Sequence, residues 1–486
     1  MQHGVDQRRR FLKGAATALA ATIAAPRLGA FDLAEPAGKA AASTQAIPDQ
    51  PVRCVQPFAL HQVRLLDSDF TQAAAINRRY LQSLPVDRLV HTFRLQAGLP
   101  SHAAPLGGWE KPDCELRGHF SGGHYLSACA LAYASEGNEA LKTRGDELVA
   151  ALAACQRPNG YLSAFPESFF DRLSRGQNVW APFYTIHKIH AGMLDMYRHA
   201  GNQQALKVAT GIGDWVVRWL NGFSDADMAN MLKTEYGGIN DSLYELYAIT
   251  GNERYRDAAH RFDQASLFDP LASYRDQLQG LHANTQVPKI IGAARRYELT
   301  GEPRYRRIAE FFWETVTQHR SYATGGTSND EFWKTGPGDL KGQLGLYNAE
   351  SCVAYNMLKL THHVYSWNGD PRAFDYYERT LYNARLGTQD TDGMKLYFYP
   401  LRPGANKFYN SPTDSFWCCT GTGAEEFARF NSNVYFHDGQ DLYVNLFVPS
   451  ELHWAQQGVV VRQETRFPRE PRTRLQLKLA QPASFA

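Results

Sequence analysis

Three short stretches carry residue types that could do chemistry together. They are Glu350 through Cys352, Trp417 through Gly423 with the adjacent Cys418 and Cys419, and Gly325 through Glu331. Three thiolates and one carboxylate form a closed tetrahedral donor set suited to zinc. Spacing restricts how they can meet. Residues two apart on a helix point about 200° apart, so Glu350 and Cys352 share a ligand only if the backbone is extended just before a helix begins. Adjacent Cys418 and Cys419 would face opposite ways on a strand. Both reach one ion only in a turn, for which Gly421 and Gly423 supply flexibility. The competing reading is packing, because no Cys-x-x-Cys pair is present and cysteines are often small buried hydrophobes.

Positioning such groups falls to a repeated helical phrase between residue 118 and about 385. A run such as Leu243 to Asn252, rich in Leu and Tyr and ending Gly-Asn, recurs with its glycine at 137, 201, 251, 301 and 369. A helix stopped by glycine in a left-handed C′ position, a short turn and a second helix explain the phrase. Tyr255 to Phe262 and Tyr305 to Phe312 show the apolar spacing of those second helices. One helical hairpin cannot bury its apolar face alone, so the repeats must pack side by side. Their spacing of 50 to 68 residues, with long polar loops, predicts a closed (α/α) toroid; an open α-solenoid is the alternative. Aromatic and polar loops such as 156–167 and 180–187 suit stacking on sugar rings, although loop packing explains any single aromatic.

Beyond about residue 390 the texture changes. Lys395–Tyr399, Asp441–Val448, Gly458–Thr465 and Arg474–Leu479 alternate as strands do. The expected organisation is an export signal over 1–30, a linker over 31–56, the barrel over 57–390, and a β-sandwich-type region over 391–486 that supplies Cys418 and Cys419. So few strands predict a truncated sheet region, with exposed edges and low solubility unless something covers them.

The chain has 486 residues, 51 Lys and Arg against 49 Asp and Glu, and 60 aromatic residues among Phe, Tyr and Trp. Near-balanced charge excludes a dedicated nucleic-acid binder, and the aromatic content excludes general disorder. Arg8 to Lys13 followed by a 12-residue apolar run reads as a twin-arginine export signal, too short to span a bilayer. Periplasmic or extracellular placement follows, without stable membrane insertion. Seven cysteines cannot all pair with one another, so a disulfide framework fits poorly. Cys54, Cys114, Cys129 and Cys155 read as inert. Oligomeric state is not legible.

The stretch Tyr347 to Leu360, with Cys418 to Gly423, resembles the β-L-arabinofuranosidase group of glycoside hydrolases, families 127 and 146, the 146 branch being closer. Gly118 to Ser127, Tyr184 to Lys188 and His282 to Lys289 match the same pattern, and the likeness runs from about residue 57 to the end. It implies an (α/α)6 barrel with β-sandwich parts and a retaining glycosidase whose nucleophile is a zinc-bound cysteine. Carried onto this chain, the zinc ligands are Glu350, Cys352, Cys418 and Cys419, the nucleophile is Cys418 and the acid/base is Glu331. Asp330 is a rival, because the loop reads Asn-Asp-Glu where the family often has Gly-Glu.

The substrate implied is an oligo- or polysaccharide, arabinose-containing and plant-derived. Another pentose or deoxy sugar, or a non-catalytic glycan-binding scaffold with structural zinc, are the alternatives. His119, His124, His187 and His282 lie in matched segments and offer hydrogen bonds to sugar hydroxyls, against the reading of satisfied structural histidines. Tyr397 aligns with a tyrosine near the family's active site.

Overall fold

The computed structural model describes residues 53–482 and Phe485, so the expected export signal lies outside the described residues. Six inner helices build the barrel: α1 (Tyr125–Glu136), α2 (Pro182–Ala200), α3 (Ile239–Thr250), α4 (Ala283–Thr300), α5 (Ser351–Asn368) and α6 (Cys418–Glu426). Each packs on the next, and α6 packs back on α1, so the ring closes. This is the expected toroid rather than an open solenoid.

The repeated phrase does what its chemistry requires. Helices α1 to α5 all end at a left-handed glycine: Gly137, Gly201, Gly251, Gly301 and Gly369, with φ between 62° and 72°. The residue after that glycine caps the outer helix returning along the barrel wall. Asn138, Asn202 and Asn252 each accept a backbone N–H of the next helix, as does Asp370. Such caps contribute about 1 kcal/mol each. Because every outer helix runs back, the inner helices are parallel and their N-termini gather at one end. Outer helices Glu139–Cys155, Gln203–Leu220, Glu253–His260, Pro303–His319 and Pro371–Thr380 each pack on the inner helix before them.

Residues 391–432 belong to the barrel, not to the β-rich region as expected from their texture. Cys418–Glu426 is helical and closes the ring between α5 and α1, so the expected boundary near 390 moves to about 432. Alternation misleads here because Lys395–Tyr399 forms only isolated bridges, Lys395 with Gln389, Leu396 with Tyr409 and Phe398 with Glu350. The two cysteines likewise sit in a helix's first turn rather than in a free turn. Gly421 is needed for close approach: a Cβ there would stand 2.1 Å from the His124 ring.

Two antiparallel sheets follow. One has the order β1 (Gln56–Pro57), β3 (Tyr435–His437), β4 (Leu442–Val444); the other β2 (Val63–Leu65), β5 (Ser450–Trp454), β6 (Val459–Thr465), β7 (Thr473–Leu479). Strands β1 and β2 precede the barrel in sequence, so chain on both sides of the barrel is stitched together. Buried Trp454, Leu452, Val459 and Val461 join these sheets to the core of α4 and α5. Among the described residues strand β7 pairs on one side only, and it carries half-exposed Leu477 and Leu479. Among the described residues no helix is long and apolar enough to cross a membrane.

Candidate active site

The N-termini of α5 and α6 converge on one buried cluster. Glu350 is the residue capping α5, in extended backbone with φ −48° and ψ 127°, and Cys352 lies in the helix's first turn. That change of backbone lets two residues of spacing two share a target. Cys418 and Cys419 open α6. The Cys352 and Cys419 sulfurs are 3.1 Å apart, Cys418 and Cys419 3.7 Å, and the Cys418 thiol is 3.6 Å from Glu350 Oε1. Thr422 donates its hydroxyl to Cys352 Sγ at 3.3 Å.

One ligand atom from each of the four residues lies within 4.8 Å of the others. Two thiolates on a tetrahedral zinc stand about 3.8 Å apart at Zn–S bonds near 2.3 Å, so the set fits such an ion. Its electrostatics point the same way. Burial pushes Glu350, Cys352 and Cys418 well above their ordinary values, and Glu350 Oε2 is buried without a partner. Cys419 alone is held low, against burial, by hydrogen bonds with its neighbouring thiols. A dication would satisfy this anionic set, assisted by the positive ends of two helix dipoles.

Glu331 approaches from the loop joining outer helix Pro303–His319 to α5. Its carbonyl accepts from Ala283 N at 2.7 Å, which pins the loop to the start of α4. The carboxylate accepts from the Tyr397 hydroxyl and stands 3.4 Å from His282 Nε2. His282, Glu331 and Glu350 offer ligand atoms within 4.8 Å of one another. The hydrogen bond from His282 holds Glu331 below the usual carboxylate range, Tyr397 adding to it against burial. Its neighbour Asp330 points away, exposed and 3.2 Å from Lys334.

Backbone strain is concentrated here. Ser328, Asp330 and Glu331 in this loop have positive φ, as do Ala181, Ala349 and Phe416 just ahead of α2, α5 and α6. These are six of the eight such non-glycine residues described, so strain gathers where the site is assembled.

The matched histidines divide. His119 precedes and His124 ends a π-turn (Phe120–His124) that leads into α1, and their rings meet edge to face at 6.0 Å. His119 Nδ1 bonds the Leu116 carbonyl and His124 Nδ1 bonds Glu425, while both Nε2 atoms are buried without a partner. Burial lowers His124 to about 4. His282 caps α4 and reaches Glu331. His187 lies a helical turn beyond Tyr184, where its Nδ1 accepts from Gly238 N at 2.9 Å.

Tyr184 lies in a matched segment, but residue type and spacing give it no role of its own. Its hydroxyl is buried without a partner, and its raised value, set first by burial, also feels Cys418 and Cys352. Glu425, which orients His124 and accepts from Tyr355, carries no sequence signal. Cys129 and Cys155 are buried in helices as expected, Cys54 is exposed, and Cys114 packs in the small apolar cluster around the three thiols.

Volume does not locate this site. A cavity of about 1080 Å³ lies along the barrel axis and includes His187, Asp195, Glu245, Lys359 and Arg429, but none of the four cluster residues and not Glu331. The thiol–carboxylate cluster lies outside the lining of this cavity, which is the polar interior beyond it.

An (α/α)6 barrel with this cluster at the N-terminal end of its inner helices, taken with the similarity to known proteins, defines a glycoside hydrolase. The family model for the β-L-arabinofuranosidase GH127 catalytic domain matches residues 62–432, and that for the GH127 middle domain matches 441–486. The chain belongs to the GH127 β-L-arabinofuranosidase family, which implies a glycan substrate. A GH127 β-arabinofuranosidase structure aligns at 18% identity and TM-score 0.67, covering 87% of this chain and 69% of that one. A GH127 β-L-arabinofuranosidase from Geobacillus stearothermophilus T6 aligns at 19% and 0.65, covering 85% and 72%. No curated protein sequence matches.

Proposed function

We propose that this chain is an exported, retaining glycosidase that releases L-arabinofuranose-type residues from plant-derived glycans with Cys418 as nucleophile. The observation that carries the reading is Glu350, whose carboxylate neighbours both Cys418 and the Glu331–His282 pair. Nucleophile and acid/base therefore have a common neighbour. Glu350, Cys352, Cys418 and Cys419 would hold a zinc ion, which supplies the charge that keeps buried thiols ionised.

In the first half-reaction Cys418 Sγ attacks the anomeric carbon, the glycosidic C–O bond breaks, and protonated Glu331 gives its proton to the leaving oxygen. In the second, Glu331 takes a proton from water, the water oxygen attacks the anomeric carbon, and the C–S bond returns its electron pair to sulfur. Two inversions retain configuration. Glu331 must be protonated before the first half and ionised before the second. The Tyr397 and His282 hydrogen bonds favour the second state, so binding of substrate must supply the first. The orphan Nε2 atoms of His119 and His124 and the Tyr184 hydroxyl suit sugar hydroxyls, because a buried polar group without a partner costs about 1–3 kcal/mol until one arrives.

The test is hydrolysis of α- and β-L-arabinofuranosides alongside other pentosides, with the first-formed anomer read by NMR. Activity confined to another pentose or a deoxy sugar would replace the substrate, and a first-formed inverted anomer would overturn the mechanism.

A further inference from the structure

Two tryptophans at the mouth have no part in the chemistry above. Trp180 is 46% exposed, so much of its indole is open to solvent. Its ring meets Trp109 edge to face at 5.2 Å. Trp109 in turn contacts Tyr397, with centroids 6.4 Å apart, and the Tyr397 hydroxyl bonds Glu331. An unbroken line of aromatic contacts thus runs from solvent to the proposed acid.

Both residues are anchored through their main-chain N–H groups. Trp109 N donates to Ser415 O and Gly107 N to Thr413 O, both at 2.9 Å, so the Trp109 loop is clamped to the segment that delivers Cys418. Gly108 makes the clamp possible: its φ is 56°, and a Cβ would stand 1.8 Å from Ser415 O. Trp180 N donates to Glu115 Oε2 at 2.7 Å, and Glu115 is fixed by Arg172. Trp180 is followed by Ala181, whose φ of 36° turns the chain into α2. The chain that carries both rings is therefore fixed on either side of the cluster. On the α4 side, Phe332 follows Glu331, is 38% exposed and meets His282 at 5.2 Å.

We propose that Trp180 and Trp109 form the leaving-group subsite, a platform for the sugar ring next to the one being released. This rests on the glycosidase reading above. The flat C–H face of a furanose or pyranose matches an indole face, and the line of rings ends at the group that protonates the leaving oxygen. The preferred substrate is then a di- or oligosaccharide, with binding energy from the second ring used to place the scissile oxygen beside Glu331.

The experiment compares a disaccharide bearing L-arabinofuranose at its non-reducing end with the methyl L-arabinofuranoside, in wild type, Trp180→Ala and Trp180→Phe. Trp180→Ala should lower kcat/KM for the disaccharide roughly tenfold further than for the methyl glycoside, and Trp180→Phe should restore most of the difference. Equal losses on the two substrates, or none on either, overturn the platform. If wild type cleaves neither, the glycosidase reading fails by itself, and the platform is judged by binding alone. Disaccharide titrated into Cys418→Ala should then change tryptophan fluorescence saturably, and the change should be lost in Cys418→Ala/Trp180→Ala. A flat titration overturns it.

Discussion

The Cys418 thiol points at Glu350 Oε1 from 3.6 Å although 68 residues separate them in the chain. The contact exists because α5 and α6 are neighbours in the ring and both begin at the same end of the barrel. A carboxylate and a thiol that are both raised by burial make a poor pair by themselves and a good pair around a cation.

One zinc per chain is therefore expected by elemental analysis, falling severalfold in Cys352→Ser and Glu350→Gln. Chelation should lower thermal stability, because a ligand at a thousand times its Kd contributes about 4 kcal/mol. Full-length protein that is metal-free yet equally stable with and without added zinc would remove the metal assignment.

Cys418→Ser should lose turnover by roughly a thousandfold or more while still binding substrate, since the hydroxyl is not ionised where a thiolate would be. Single-turnover kinetics with mass spectrometry of the trapped thioglycosyl adduct reads the same residue in wild type. Near wild-type rates in Cys418→Ser would end its role as nucleophile.

Glu331→Gln and Asp330→Asn separate two adjacent candidates. The first should cost roughly 10²- to 10⁴-fold in kcat, with a smaller loss on activated aryl glycosides whose leaving group needs no proton. The second should change little, because Asp330 faces solvent and Lys334. The opposite ranking would move the acid to Asp330.

Gly421→Ala should destabilise the fold and lower metal content together. The new methyl would stand 2.1 Å from His124 Cδ2, and either His124 or the start of α6 must shift. Overpacking of this kind costs about 1–3 kcal/mol, read as a lower urea midpoint. An unchanged midpoint with full zinc would show that the contact is slack.

Stability should fall as pH drops from about 6.5 towards about 3. Burial lowers His190 to about 4 and His362 to about 3, so both are neutral when folded at pH values where an unfolded histidine takes up a proton. With folded values below the unfolded one, the unfolded state gains protons first, and the loss is complete once pH passes below the folded values. A tenfold difference in proton affinity between the folded and unfolded states is worth at most about 1.4 kcal/mol per group. Urea midpoints at pH 7.5, 6 and 5 check this, and His190→Gln should flatten the slope.

Much of the fold is legible in the sequence. The glycine-ended phrase announces five helix ends because only a residue without Cβ takes that left-handed turn cheaply, and all five glycines do so. The extended backbone required at Glu350 is also readable, from spacing and the helix that follows. Residues 391–432 mislead, since local alternation says nothing about which helix pairs with which, and α6 is defined by closing a ring rather than by its own pattern. Trp109 and Glu425 leave no local trace, because each acts through residues more than 65 positions from it or through a backbone clamp across the mouth.

By itself the sequence determined the helical repeat, the four candidate ligands and the family pattern, because periodicity, glycine chemistry and residue type are local properties. Only the tertiary structure decided that Cys418 and Cys419 enter on a helix dipole, that Glu331 and not Asp330 turns towards Glu350, and that Trp180 stands exposed at the mouth. Those outcomes depend on which elements become neighbours when the ring closes, and burial and charge are set by neighbours.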